Sequence, residues 1–204
     1  MNNCLNNPSM SSCGYLELFI GPMWSGKTTE LVNLYTHYTY CGSKVLAINH
    51  VNDTRYGSDT ISTHDLVKIP CESVGELRSI SDITKGILTS KFKEAEDILI
   101  NEGQFFKDIV EWVKTAVETN NKHVYICGLD GDFKRETFGD ILSLIPFCDR
   151  VTKKHSVCGC CKSRYAIFTH RNSKEQEQEL IGAKQYVSLC RKCYNEKTMF
   201  YKTI

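Results

Sequence analysis

At 204 residues the chain is long enough for one full domain and a small appendage. Its 25 Lys and Arg nearly balance 24 Asp and Glu, for a net charge of +1, which argues against a nucleic-acid partner. No apolar run approaches the ~20 residues of a membrane span, so no membrane partner is expected either. The opening MNNCLNNPSMSSC has neither a basic start nor an apolar core. It does not read as a signal peptide, and residues 1–14 read as a short disordered tail rich in Asn and Ser. A reducing, cytoplasmic compartment follows, in which the eleven cysteines are not expected to form a disulfide framework.

In chain order, residues 16–20 (LELFI) predict a buried strand that runs into Gly21-Pro22-Met23-Trp24-Ser25-Gly26-Lys27-Thr28. This stretch fits the phosphate loop G-x-x-x-x-G-K-[ST], in which backbone N–H groups at a helix start converge on an anion. In such a loop Lys27 would reach the outer phosphates of a nucleoside triphosphate and Thr28 would hold Mg²⁺. Residues 29–40 carry Leu31, Leu34, Tyr35 and Tyr38 at helical spacing, and Gly42 is a stop. A second strand over 44–49 makes a β–loop–α–β unit, which implies a right-handed crossover and a parallel pair. Residues 50–65 lack periodicity and predict a loop, with Arg55 just beyond a strand end, where ligands of α/β sheets bind.

A short strand is predicted over 66–70, and one or two helices over 73–92. A third buried strand, 97–101, ends in Asn101 and is followed by Glu102. Phosphate-loop enzymes commonly place an Mg²⁺-binding Asp at the end of a second strand. A glutamate there suits a general base on a substrate hydroxyl; the plainer reading is a Glu favoured by the N-terminus of a helix over 107–119. A fourth strand, 124–127, leads into the loop 128–135, where Phe133 either stacks on a flat ring or fills the core. A helix over 138–146 and a fifth strand over 150–155 complete a parallel α/β domain spanning 15–156.

From residue 157 the character changes. Cys158, Cys160, Cys161, Cys190 and Cys193 crowd together, and two C-x-x-C pairs arise if Cys158 and Cys161 form the first. That spacing suits a tetrahedral, structural Zn²⁺ site, with Cys160 as a surplus candidate. Between the pairs lies a polar insert, 172–185, that needs a ligand or an anchoring knuckle to be ordered. Residues 157–204 thus read as a second, zinc-binding unit, and the segment after Cys193 carries no recognisable degradation signal.

Assembled, the pieces resemble the cytosolic-type (type II) thymidine kinases of animals, bacteria and large DNA viruses. The matching stretches are GPMWSGKTTEL (21–31), DTRYG (53–57), THD (63–65), EGQFF (102–106), LDGDF (129–133), FGDILSLIP (138–146), VCGCC (157–161) and YVSLCRKCY (186–194). The resemblance implies a phosphate-loop α/β fold with a C-terminal zinc-binding lasso, and transfer of the ATP γ-phosphoryl group to the 5′-hydroxyl of thymidine or deoxyuridine, giving dTMP for nucleotide salvage. It assigns Gly21 to Thr28, with Asp53, Thr54, Arg55, Asn101 and Gln104, to ATP and Mg²⁺. It makes Glu102 the catalytic base, with Lys27 and Arg55 stabilising the transferring group.

The resemblance also stacks the thymine on Phe133, lines its pocket with Met23 and Leu129, bonds the base to backbone around Glu177, Gln178, Glu179, Leu180 and Ile181, and sets Tyr186 at the sugar. Cys158, Cys161, Cys190 and Cys193 would hold Zn²⁺ at the root of the lasso. A homodimer or homotetramer and feedback inhibition by dTTP are implied in the same way. The sequence departs from the family pattern at Asn101 (usually Asp), Ile181-Gly182 (usually Gly-Gly), Trp24 (usually Phe) and Asp132 (usually Thr). The competing class, a nucleotide switch or zinc-containing nucleic-acid binder, draws on Asn101 but lacks a basic patch with interleaved aromatics.

Overall fold

The computed structural model describes residues 13–53, 57, 59–173, 175, 177–178 and 185–202. The predicted tail therefore lies outside the described residues up to position 12, as do Thr54, Arg55, Glu179, Leu180 and Ile181.

The chain runs β1 (Tyr15–Ile20), α1 (Lys27–Tyr40), β2 (Val45–His50), β3 (Thr60–Ser62), β4 (Lys68–Pro70), β5 (Glu72–Val74), α2 (Ser90–Glu94), β6 (Asp97–Ile100), α3 (Ile109–Lys114), β7 (His123–Gly128) and β8 (Arg150–Lys153). It continues through β9 (Ser156–Val157), β10 (Tyr165–Ala166), β11 (Phe168–Arg171), β12 (Tyr186–Leu189) and α4 (Arg191–Lys202). Six strands form one sheet in the order β5-β2-β6-β7-β1-β8, and every pairing in it is parallel.

Alternation along the central strands sends side chains to opposite faces, and each face is buried. Leu16, Leu18 and Ile20 of β1, Ile98 and Ile100 of β6, and Val124 and Ile126 of β7 share one core with Phe92, Ile109, Trp112, Val113, Ile141 and Leu144. Phe19, Leu99, Tyr125 and Cys127 point the other way and meet Leu31 and Val32 of α1. A third cluster is separate: Cys158, Ala166, Leu189, Cys190, Cys193 and Tyr194. Its members are too few to form a large core, and three of them are cysteines.

The structure corrects several expectations. The stretch 73–92 opens in β5, and its helical content is short: two 3₁₀ turns, Leu77–Ser79 and Ile83–Lys85, the second ended by Gly86 at φ 74°, and then α2 from Ser90. The loop predicted over 50–65 contains β3, which pairs antiparallel with β4. Only Ile61, facing Ile69 across the pair, is apolar in β3, so three residues gave no periodicity to read. The helix expected over 107–119 is α3 followed by a π-helical turn, Thr115–Thr119, and that expected over 138–146 is a 3₁₀ segment, Ile141–Phe147. Helix α4, for which no expectation was made, runs through the segment after Cys193 to Lys202.

Candidate active site

Strands β6, β7 and β1 are neighbours, so the loops at their carboxyl ends are neighbours too. These are the phosphate loop after β1, residues 101–106 after β6 and residues 129–138 after β7. Side chains from all three line one cleft, among them Met23, Lys27, Thr28, Glu102, Gln104, Leu129 and Phe133. Asp53, Gln178 and Tyr186 line it as well.

The phosphate loop is held from outside itself. Gly21 adopts φ 147°, and a Cβ there would meet the Lys154 carbonyl oxygen at 2.3 Å, so only glycine fits. Lys27 Nζ donates to the Pro22 carbonyl at 2.7 Å and lies 3.4 Å from Ser25 Oγ, folded back over the loop it serves. Met23 is braced at both backbone atoms: its N–H donates to Thr169 Oγ1 on β11 (3.1 Å), and its carbonyl accepts from Ser188 Oγ on β12 (2.5 Å). The exposed Trp24 indole stacks on His64 with ring centroids 4.0 Å apart.

At the end of β6, buried Asn101 is the hub of a polar chain. Its Oδ1 accepts from Cys127 Sγ (3.0 Å) and lies 3.4 Å from the Thr28 hydroxyl. Its Nδ2 donates to Asn49 Oδ1 (2.9 Å), and Asn49 Nδ2 in turn reaches Asp53 Oδ2 (3.3 Å). The hydroxyl of Thr28 and the amide oxygen of Asn101 are hard oxygen donors of the kind Mg²⁺ takes. The carboxylate along this chain of contacts belongs to Asp53.

Glu102, half-buried, sits at φ 53°, ψ 44°, a left-handed conformation rare outside glycine and concentrated at functional sites. Its Oε2 accepts from Gln104 Nε2 (2.7 Å), while Gln104 Oε1 accepts from the Leu129 N–H (2.9 Å). Gln104, expected among the ATP and Mg²⁺ contacts, thus ties the glutamate to the Phe133 loop. Gly139, at φ 60°, lets the backbone pass so close that a Cβ would meet the Gln104 carbonyl oxygen at 2.0 Å. Asp132 organises the Phe133 loop: Oδ1 accepts from the N–H groups of Lys134 (2.8 Å) and Glu136 (2.9 Å), and Oδ2 from Gln178 Nε2 (2.9 Å). A threonine would offer one oxygen where Asp132 uses two. The Tyr194 hydroxyl donates to the Phe133 carbonyl at 2.5 Å.

The sulfurs of Cys158, Cys161, Cys190 and Cys193 lie within 4.8 Å of one another. Four thiols converging at that range fit a tetrahedral Cys₄ zinc site. Cys160 is not part of the cluster, as the C-x-x-C spacing predicts. The Ser163 hydroxyl and N–H hold the Cys161 thiol down to about 6. For Cys158, burial pushes upward, but the N–H groups of Cys190, Cys161 and Cys160 outweigh it and the thiol is lowered. Burial and the neighbouring thiols raise that of Cys193. A bound cation would favour the thiolate at all four.

The sequence model described as "Thymidine kinase" matches residues 14–194. The chain belongs to the thymidine kinase family. The thymidine kinase of sheeppox virus is 41% identical over 182 residues, covering 89% of this chain and 97% of the viral protein. The cytosolic thymidine kinase of Homo sapiens is 37% identical over 202 residues, covering 96% of this chain and 82% of the human protein. The thymidine kinase of Oryza sativa is 39% identical over 183 residues, covering 89% of this chain and 66% of the rice protein.

For this thymidine kinase family member, the cleft gathers most residues singled out from the sequence: Met23, Trp24, Ser25, Gly26, Lys27, Thr28, Asp53, Glu102, Gln104, Leu129, Phe133, Gln178 and Tyr186. Asn101 stands behind Thr28; the exposed Glu177 does not line the cleft, and its carbonyl accepts from Arg171. Sequence reasoning missed Thr169, Ser188, Arg171, Asn49 and His64. No spacing marks Thr169 and Arg171, because His170 between them on β11 is buried as well.

Proposed function

We propose that this thymidine kinase family member transfers the γ-phosphoryl group of ATP to the 5′-hydroxyl of thymidine, and we extend the proposal to deoxyuridine. The observation that carries it is the shared cleft of Lys27, Thr28, Glu102 and Phe133, supplied by three adjacent strand ends. A phosphate-binding loop alone fits many reactions. A glutamate and an aromatic ring opposite it fit a nucleoside acceptor.

In this reading Lys27, together with Arg55, stabilises charge on the transferring group. Glu102 accepts the proton of the 5′-hydroxyl as that oxygen bonds to the γ-phosphorus and ADP leaves. Phe133 stacks on the thymine, Met23 and Leu129 line its pocket, and backbone from 177 to 181 bonds its edge, with Tyr186 at the sugar. Thr28 and Asn101 would hold Mg²⁺, directly or through water, and Mg²⁺ would neutralise charge on the β- and γ-phosphates. A structural Zn²⁺ on Cys158, Cys161, Cys190 and Cys193 would pin the lasso at both ends, which lowers the entropy lost when it closes. Closure would exclude water and suppress ATP hydrolysis. A homodimer or homotetramer, feedback inhibition by dTTP and a cytoplasmic setting belong to the same proposal. No helix among the described residues is long and apolar enough to cross a membrane.

Coupled phosphorylation of thymidine, deoxycytidine and deoxyguanosine with ATP and Mg²⁺ tests it. Turnover of thymidine well above the other two is the expected result. Turnover of either of them without thymidine would refute the assignment.

A further inference from the structure

Arg171 closes β11, is only 4% exposed and has no part in the reaction as proposed. Its guanidinium is saturated with acceptors. Nε and Nη2 both donate to the Tyr186 hydroxyl, at 3.2 and 2.6 Å. Nη1 donates to the carbonyls of Glu175 (3.1 Å) and Glu177, and Nη2 also to that of Gln178 (3.0 Å). Its Cζ lies over the Phe133 ring, 3.9 Å from the centroid. Burying such a cation is costly unless its donors are satisfied, and here the acceptors come from lasso backbone and one tyrosine.

We infer that Arg171 is the positioning residue of the nucleoside pocket: one planar fork fixes the Phe133 ring, the Tyr186 hydroxyl and the lasso carbonyls as a unit. It acts through these groups, because it does not itself line the cleft. The role needs a guanidinium. A lysine ammonium keeps the charge but can neither span five hydrogen bonds in one plane nor lie flat on a ring. The inference rests on the proposed stacking of the base on Phe133, and its consequences fall on the nucleoside side of the reaction, away from the phosphate loop.

The test compares Arg171→Lys, Phe133→Ala and the double variant by steady-state kinetics on the full chain, with zinc content and thermal midpoint measured alongside. Arg171→Lys should raise the KM for thymidine by about tenfold, as expected for lost charge-assisted hydrogen bonds, while kcat and the KM for ATP change by less than about threefold. In the Phe133→Ala background the same substitution should cost clearly less, since the ring it orients is gone. A wild-type thymidine KM in Arg171→Lys, or equal losses for thymidine and ATP, overturns the inference. If Phe133→Ala leaves the thymidine KM unchanged, the stacking reading fails and the inference with it; if only Arg171→Lys is silent, the stacking stands and the inference alone falls. Should Arg171→Lys not fold, Tyr186→Phe removes two of the five bonds. It should raise the thymidine KM by about threefold, and no rise would overturn the proposal.

Discussion

Asn101 shows how an amide can stand at a strand end where a carboxylate was expected. It lies 3.4 Å from Thr28 and accepts from Cys127, so its oxygen stands where a carboxylate oxygen would, without the charge. Its amide nitrogen gives the substitution a compensating contact, a hydrogen bond to Asn49, which an ionised Asp could not donate. Asn101→Asp should therefore do two opposed things. The Mg²⁺ concentration for half-maximal rate should fall several-fold, because a carboxylate binds the ion more tightly than an amide. Thermal stability should drop by about 1–2 kcal/mol, because the Asn49 oxygen loses its donor beside a buried charge. Activity against Mg²⁺ concentration, with a melting curve, checks both. An unchanged Mg²⁺ profile would remove Asn101 from the metal site.

At the scale of elements, the hairpin of β11 and β12 links the cysteine cluster to the phosphate loop. Thr169 and Ser188 face each other in the register of that hairpin, and each binds one backbone atom of Met23. Cys190 follows β12 directly. The cluster thus adjoins the strand pair that braces Met23, the residue proposed to line the thymine pocket. Cys161→Ser should lose zinc and raise the thymidine KM at least about tenfold, since outer contacts of a metal site alone are worth that much. Cys160→Ser should match the parent chain in both measurements. Metal content by mass spectrometry beside the kinetics distinguishes them. Equal zinc in the two variants would mean that the four converging sulfurs are not the ligands.

Across the whole molecule, what could be read from the sequence was whatever a local pattern carries. Central strands buried on both faces gave apolar runs, and the loop from Gly21 to Thr28 gave a spacing; both reappear at their expected places. Strands β3 and β5 were not legible, because Thr60–Ser62 and Glu72–Val74 hold one apolar residue each and are strands through their pairing with β4 and β2. The same holds for the site. Lys27, Glu102 and the cysteines stand in motifs, whereas Arg171 and Thr169 matter through contacts with residues far along the chain or across the lasso, which no spacing reveals. Asp132 was visible as a departure, yet its role in shaping the Phe133 loop depended on seeing Lys134, Glu136 and Gln178 around it.

The architecture brings three strand ends together so that a phosphate-binding loop, a carboxylate and an aromatic ring share one cleft. The carboxylate is the most exacting part of that account. Glu102 is held in a left-handed conformation and bonded to Gln104, and Gln104 can bond to glutamine at 102 as well. Glu102→Gln therefore removes the base and little else. The decisive measurement is its kcat for thymidine, taken together with equilibrium binding of ATP and thymidine. The kcat should fall about 10²–10⁴-fold with both affinities preserved; near-normal turnover would show that Glu102 is not the base.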